Sequence, residues 1–135
     1  MAAVAKTARD IGRRPRGQLA AIDYTLAKRA ILREARRGVV SVLDLCDAHP
    51  ELMRAARNVG EELASPCPVC RGHSLRRLAY VYADELRHDN ARVWTMKEAL
   101  ALTARCQNGA CYVVEVCLDC CWNHLSEAFV ARSAG

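Results

Sequence analysis

The 135-residue chain contains no run of 18 apolar residues, so no segment reads as a membrane-spanning helix. No apolar segment follows the basic residues near the N-terminus, and a secretory signal is therefore not expected. There is no Ser/His/Asp set for nucleophilic catalysis, no glycine-rich loop to cradle phosphate, and no pair of carboxylates spaced for acid–base work. Each lack removes an enzyme class, and the expectation is a protein that is not an enzyme. Cysteine, by contrast, is abundant. Eight cysteines in a chain without a secretory signal fit a reducing cytoplasm and metal binding better than a disulfide framework.

Two of the cysteine groupings are Cys-x-x-Cys pairs, Cys67-Pro-Val-Cys70 and Cys117-Leu-Asp-Cys120. Two intervening residues let one tight turn offer two sulfurs to the same ion, and two such turns complete the tetrahedron that Zn²⁺ prefers. Cys67, Cys70, Cys117 and Cys120 are therefore the expected metal ligands, with Zn²⁺ as the cofactor. Proline fixes the entry to the first turn, and Gly72 is expected to take a positive φ on leaving it. A redox dithiol, or buried cysteines with no shared ligand, is the competing reading. A catalytic dithiol, however, lacks thioredoxin-like βαβ surroundings here. Four protein ligands leave no coordination position for water, which points to structural rather than catalytic zinc. His124, four residues past Cys120, could replace one sulfur. Cys46 falls beside apolar residues on a short helix and reads as a core thiol.

The net charge of +5 is unevenly spread: residues 1–77 carry +7 and residues 78–135 carry −2. A basic surface suits nucleic acid, or an acidic face on a nucleoprotein machine such as RNA polymerase or the ribosome. A solvated basic face without a ligand is the plain alternative. Residues 1–20 hold few large apolar residues and read as a mobile basic tail. From Asp23 to Arg37 apolar residues recur at helical spacing, and Gly38 suits the position just past the helix end. Ser41-Val-Leu-Asp44 resembles a capping box that opens a short helix, and Pro50 suits the first position of a third. These make a three-helix unit over residues 21–64, similar to a helix-turn-helix, with a purely structural bundle as the alternative. The candidate nucleic-acid contacts are Arg13, Arg14 and Arg16 in the tail, Arg29, Arg33, Arg36 and Arg37 on the first helix, and Arg76 and Arg77 past the first cysteine pair.

Beyond the first pair, Leu75 to Ala83 is expected to form a strand. At Thr95-Met-Lys-Glu98 a capping box, and with it a helical turn, competes with a strand. Residues 102–106 and 111–116 flank a turn at Asn108-Gly109 and read as a β-hairpin, which would set Cys106 opposite Cys111. The two thiols are then either packed small side chains or a bridge formed on oxidation. An amphipathic helix is expected from Cys121 to about Arg132.

A metal turn, strands, a hairpin and a second pair at a helix start together resemble the treble-clef zinc fingers over about residues 65–132. Taken with the three-helix unit read before it, that resemblance implies an α+β fold in which the N-terminal helices are followed by a zinc-binding domain over residues 65–135 with a β-hairpin and a C-terminal helix. A zinc ribbon shares the ligands but has no helix directly after the second pair. Through Cys-Asp-Ala-His-Pro-Glu-Leu at 46–52 and Val-Cys-Leu-Asp-Cys at 116–120 the chain also resembles a family of short, cysteine-rich actinobacterial proteins of unassigned function.

The leading functional expectation is a zinc-stabilised module for nucleic acid or a transcription or translation assembly. A protein-interaction adaptor using Tyr80, Tyr82, Trp94 and Trp122 is the alternative, and a thiol redox sensor is a third. No base-reading set of residues is evident, so little sequence preference is expected.

Overall fold

The structure, a computed structural model, describes residues 18–89 and 92–132. In chain order the described elements are β1 (Gln18–Asp23), α1 (Thr25–Arg36), α2 (Val42–Leu45), α3 (Pro50–Val59), β2 (Glu61–Glu62), β3 (Leu75–Tyr82), β4 (Val93–Trp94), α4 (Met96–Arg105), β5 (Ala110–Cys117) and β6 (Asn123–Arg132). A 3-10 segment over Asp84–Asp89 follows β3. The strands form one antiparallel sheet in the order β1-β6-β5-β3-β2, with β4 also paired to β3.

The N-terminal three-helix unit expected from the sequence is not found. The described chain opens on a strand, which includes the last residues assigned to the basic tail. Helices α1, α2 and α3 belong to the same compact unit as both cysteine pairs, residues 23–78 with 113–126. The helix signals themselves are local and were legible. Gly38 has φ +75, and the Gly38 and Val39 N–H groups donate to the Ala35 and Glu34 carbonyls at 3.1 and 2.9 Å. That is the glycine-terminated Schellman end of α1. His49 Nδ1 accepts from the Glu51 N–H at 3.1 Å and caps α3, with Pro50 in its first turn.

Two further expectations are corrected. Residues 123–132 form strand β6, not a helix. The Cys117 N–H donates to the Trp122 carbonyl at 2.8 Å and the Cys121 N–H to the Cys117 carbonyl at 3.1 Å. The second cysteine pair is thus the turn of a β5–β6 hairpin, and Cys121, at φ 68, stands where a helix cannot start. The helix-forming Ala, Glu and Leu residues of 123–132 are overridden by pairing on both sides. Residues 102–105 lie in α4, so the hairpin around Asn108-Gly109 and its Cys106–Cys111 register do not exist. Thr95 Oγ1 accepts from the Glu98 N–H at 3.2 Å and donates to the Glu98 carboxylate at 2.8 Å, so the capping box won over strand. Asn108 takes φ 55, but Gly109 is not left-handed, as a type I′ turn would need. A Cβ at Gly109 would lie 3.0 Å from Cys106 Cβ and 3.2 Å from the Thr103 carbonyl, so glycine serves close packing there.

The unit of residues 23–78 and 113–126 is built on Leu45, Leu75 and Trp122, packed with Cys67 and Cys117. Ile31, Leu32 and Ala35 supply the apolar stripe of α1 to it. The other unit contains residues 79–112 and the outer segments of β1 and β6. Its interior holds Val81, Met96, Ala99, Leu100, Cys111 and Phe129. Along β5 the buried residues Cys111, Val113 and Glu115 alternate with half-buried ones, the two-residue period of a strand with one covered face, and the strand ends on Val116 and Cys117, both buried.

Candidate metal centre

The first cysteine pair closes a hairpin as the second does. Cys67 N–H donates to the Gly72 carbonyl at 2.9 Å and Arg71 N–H to the Cys67 carbonyl at 3.0 Å. The residue after each pair is left-handed, Arg71 at φ 66 and Cys121 at φ 68. The positive φ expected at Gly72 therefore falls one residue earlier. Gly72 is small for another reason: a Cβ there would sit 2.7 Å from Asp119 Oδ2 and 3.3 Å from Cys70 Sγ. The two hairpins are joined where the Leu118 N–H donates to the Ser74 carbonyl at 3.0 Å.

These turns bring Cys67, Cys70, Cys117 and Cys120 together, with all four sulfurs within 4.8 Å of one another. Cys67 and Cys120 sulfurs are 3.7 Å apart, and Cys70 and Cys117 sulfurs 3.6 Å. Zn–S bonds of ~2.3 Å in a tetrahedron would place sulfurs ~3.8 Å apart, so these two separations match such an ion, and any of the others near the 4.8 Å bound would close by up to ~1 Å. Backbone N–H groups already point at sulfur: Val69 at Cys67 and Gly72 at Cys70, both at 3.4 Å. The second turn repeats the pattern, with Asp119 and Cys120 N–H groups at Cys117 and Trp122 N–H at Cys120. Such donors favour thiolate over thiol. Burial opposes them, pushing the Cys67 and Cys117 thiols up and Cys120 up to about 12, whereas the Gly72 N–H holds exposed Cys70 below its ordinary value. A metal ion would have to displace those protons, so occupancy of this site falls as pH falls.

Other sequence-singled residues lie elsewhere. His124 is outside the sulfur set. Its ring stacks on Trp122 with centroids 5.6 Å apart, and burial lowers its pKa. Arg29, Arg33, Arg36 and Arg37 are exposed along and just past α1. Arg76 and Arg77 are half-buried and face carboxylates, Glu62 at 3.4 Å and Glu61 at 2.7 Å across the β2–β3 ladder. Arg13, Arg14 and Arg16 lie outside the described residues. Trp122 is fully buried and so supplies no surface for an aromatic adaptor face.

Sequence reasoning missed the support behind the second turn. Glu115 is buried, its carboxylate accepting from Lys28 Nζ at 2.8 Å and from Trp122 Nε1 at 2.9 Å. It thereby holds Trp122, the residue that accepts from Cys117 N–H, and ties α1 to β5. The signal was present as a lone acid in the apolar run Cys111-Tyr-Val-Val-Glu-Val-Cys117. Cys46, expected as a core thiol, does pack half-buried against the core, but it has a second neighbour. Its sulfur is 3.8 Å from Cys120 Sγ, at the edge of the sulfur set.

The fold and site define a small α+β protein whose two cysteine-tipped hairpins form a cluster able to hold a metal ion. The chain belongs to DUF5318, described as a "family of unknown function", whose pattern matches residues 15–135. It is 37% identical over 113 residues to "Uncharacterized protein Rv0049" of Mycobacterium tuberculosis (strain ATCC 25618 / H37Rv) and, to the same extent, to "Uncharacterized protein Mb0050" of Mycobacterium bovis. Each match covers 84% of this chain and 82% of the relative. No solved structure matches the chain.

Proposed function

We propose that the protein is a non-enzymatic interaction module whose sulfur cluster holds one structural Zn²⁺ and whose adjoining groove takes an acidic, amphipathic segment of a protein partner. Four cysteine ligands complete a tetrahedron, so the ion would brace two hairpins rather than bind substrate. The observation that carries the binding reading is the groove itself. It measures about 180 Å³ and runs between α1 and the first cysteine turn. Leu32, Ala35, Val42, Pro68 and Val69 are its apolar lining, and Arg36 and Arg71 line it as well. Neither arginine has an ion-pair partner among the described residues. Val39, three residues before Val42 in sequence, and Leu43, directly after it, are 67% and 82% exposed. Apolar surface framed by unpaired cations matches an apolar side chain flanked by carboxylates better than a phosphate backbone.

The exposed row Arg29, Arg33, Arg36 and Arg37 favours a second reading, nucleic acid bound along α1. Fluorescence polarisation separates the two. The probes are a synthetic peptide with one leucine between aspartates, its lysine-flanked counterpart, and a duplex oligonucleotide. The adaptor reading expects the acidic peptide to bind and Arg36→Gln with Arg71→Gln to abolish it. Duplex binding with a log–log salt slope of roughly −0.9 per phosphate contact, and none of the peptide, would replace it with the second reading. Elemental analysis of the reduced protein tests the metal: about one zinc per chain is expected, and none would remove that part of the proposal.

A further inference from the structure

Five cysteine sulfurs, not four, meet at the candidate centre. Cys46 Sγ stands 3.8 Å from Cys120 Sγ, nearly as close as the paired ligand sulfurs at 3.6 and 3.7 Å. A tetrahedral ion has no use for a fifth sulfur. Nor is Cys46 an ordinary core thiol, because it is only half-buried. Its place is fixed. It caps the end of α2, and the two residues after it are fastened to the exit of the second turn. Ala48 N–H donates to the Cys121 carbonyl at 3.1 Å, and Asn123 Nδ2 donates to Asp47 Oδ1 at 3.0 Å. Cys46 is therefore held against one particular ligand of the four. Cys120 is half-buried like its neighbour, whereas Cys67 and Cys117 are buried.

We propose that Cys46 and Cys120 form an oxidation site for hydroperoxides, a reversible disulfide that withdraws one ligand from the metal centre. The Cys46 sulfur attacks the terminal oxygen of the hydroperoxide. The O–O bond breaks, an alcohol (or water, from hydrogen peroxide) leaves, and Cys46 becomes a sulfenic acid. The Cys120 sulfur then displaces water from that sulfur and the S–S bond forms. The two sulfurs together lose two electrons, and the peroxide gains them. A disulfide is ~2.05 Å long, so the sulfurs must close by less than ~2 Å, a movement within reach of side-chain rotation. With Cys120 withdrawn, only Cys67, Cys70 and Cys117 remain, and the site opens. A thiol reductant restores it.

This inference rests on the proposed zinc occupancy, and the experiment reports the two separately. Full-length protein is purified reduced and its zinc measured. It is then treated with hydrogen peroxide while released zinc is followed with a chromogenic chelator, and disulfides are mapped by tandem mass spectrometry. Wild type is expected to release zinc, to yield a Cys46–Cys120 bridge, and to recover both after dithiothreitol and added zinc. Cys46→Ser is expected to purify with full zinc, to form no such bridge, and to release zinc at least fivefold more slowly. A parallel Cys121→Ser variant, expected to behave as wild type, excludes the neighbouring thiol. Bridges within the two Cys-x-x-Cys pairs instead, wild-type release from Cys46→Ser, or a zinc-free Cys46→Ser protein would each overturn the proposal. Absence of zinc from the untreated wild type would overturn the zinc reading, while the mapped bridge would still report on the Cys46–Cys120 site.

Discussion

Replacing Glu115 tests whether the buried network behind the second cysteine turn sets its stability. In Glu115→Ala the Trp122 indole N–H, now fully buried, loses its acceptor, a loss worth ~1–3 kcal/mol. Lys28 loses its counter-charge as well. Breaking a buried ion pair costs ~3–5 kcal/mol, but the Lys28 side chain is 27% exposed and water offsets part of that. The expected destabilisation is therefore about 3–4 kcal/mol, a large share of a small domain's stability. Glu115→Gln keeps an oxygen for the indole and gives up only the charge, so about 1–2 kcal/mol is expected. Urea denaturation, followed by Trp fluorescence with zinc present, measures both. A double-mutant cycle with Lys28→Met should return a coupling of at least ~1 kcal/mol. A Glu115→Ala loss below ~1 kcal/mol, or no coupling to Lys28, would refute the reasoning, because the carboxylate would then be an incidental neighbour.

Cys117→Ser, or removal of metal by a strong chelator, should collapse the hydrogen-exchange protection of residues 23–78 and 113–126, since structural zinc contributes on the order of 10–16 kcal/mol; unchanged protection would show that the sulfurs hold nothing. Gly72→Ala brings a Cβ against Asp119 Oδ2 and Cys70 Sγ, and the carboxylate can swing away while the sulfur cannot; chelator competition should find metal affinity about tenfold lower, ~1.4 kcal/mol. Burial pushes the Cys111 thiol up to about 12 from an ordinary 9.0. The folded value lies above the unfolded one, so its contribution is intact below pH 9 and is lost as pH rises toward 12. Stability should fall by up to ~1.4 kcal/mol per pH unit there, and Cys111→Ala should remove that part of the slope. Thr95→Ala deletes the cap of α4 and should cost ~1 kcal/mol by the same denaturation assay.

The four clustered cysteines were legible because Cys-x-x-Cys is a local device: with only two residues between them, one tight turn brings two sulfurs to one point whatever surrounds it. Helix ends were legible for the same reason. Gly38, His49 with Pro50, and Thr95 with Glu98 act within one turn of chain. What followed each cysteine pair was not local. Residues 123–132 carry helix-forming side chains, yet they form a strand because the Cys117–Cys121 turn delivers them antiparallel beside β5, where backbone pairing decides. The Asn108-Gly109 signal, read as a hairpin, lost to a capping box thirteen residues upstream that carried helix α4 through to Arg105. Partnerships across long separations lay beyond any reading of spacing. Lys28 meets Glu115 across 87 residues and Cys46 meets Cys120 across 74. Composition and spacing thus determined that this chain can present four sulfurs to one ion. Tertiary packing decided that the turns carrying them close β-hairpins, which charge is buried behind them, and that a fifth sulfur waits beside Cys120.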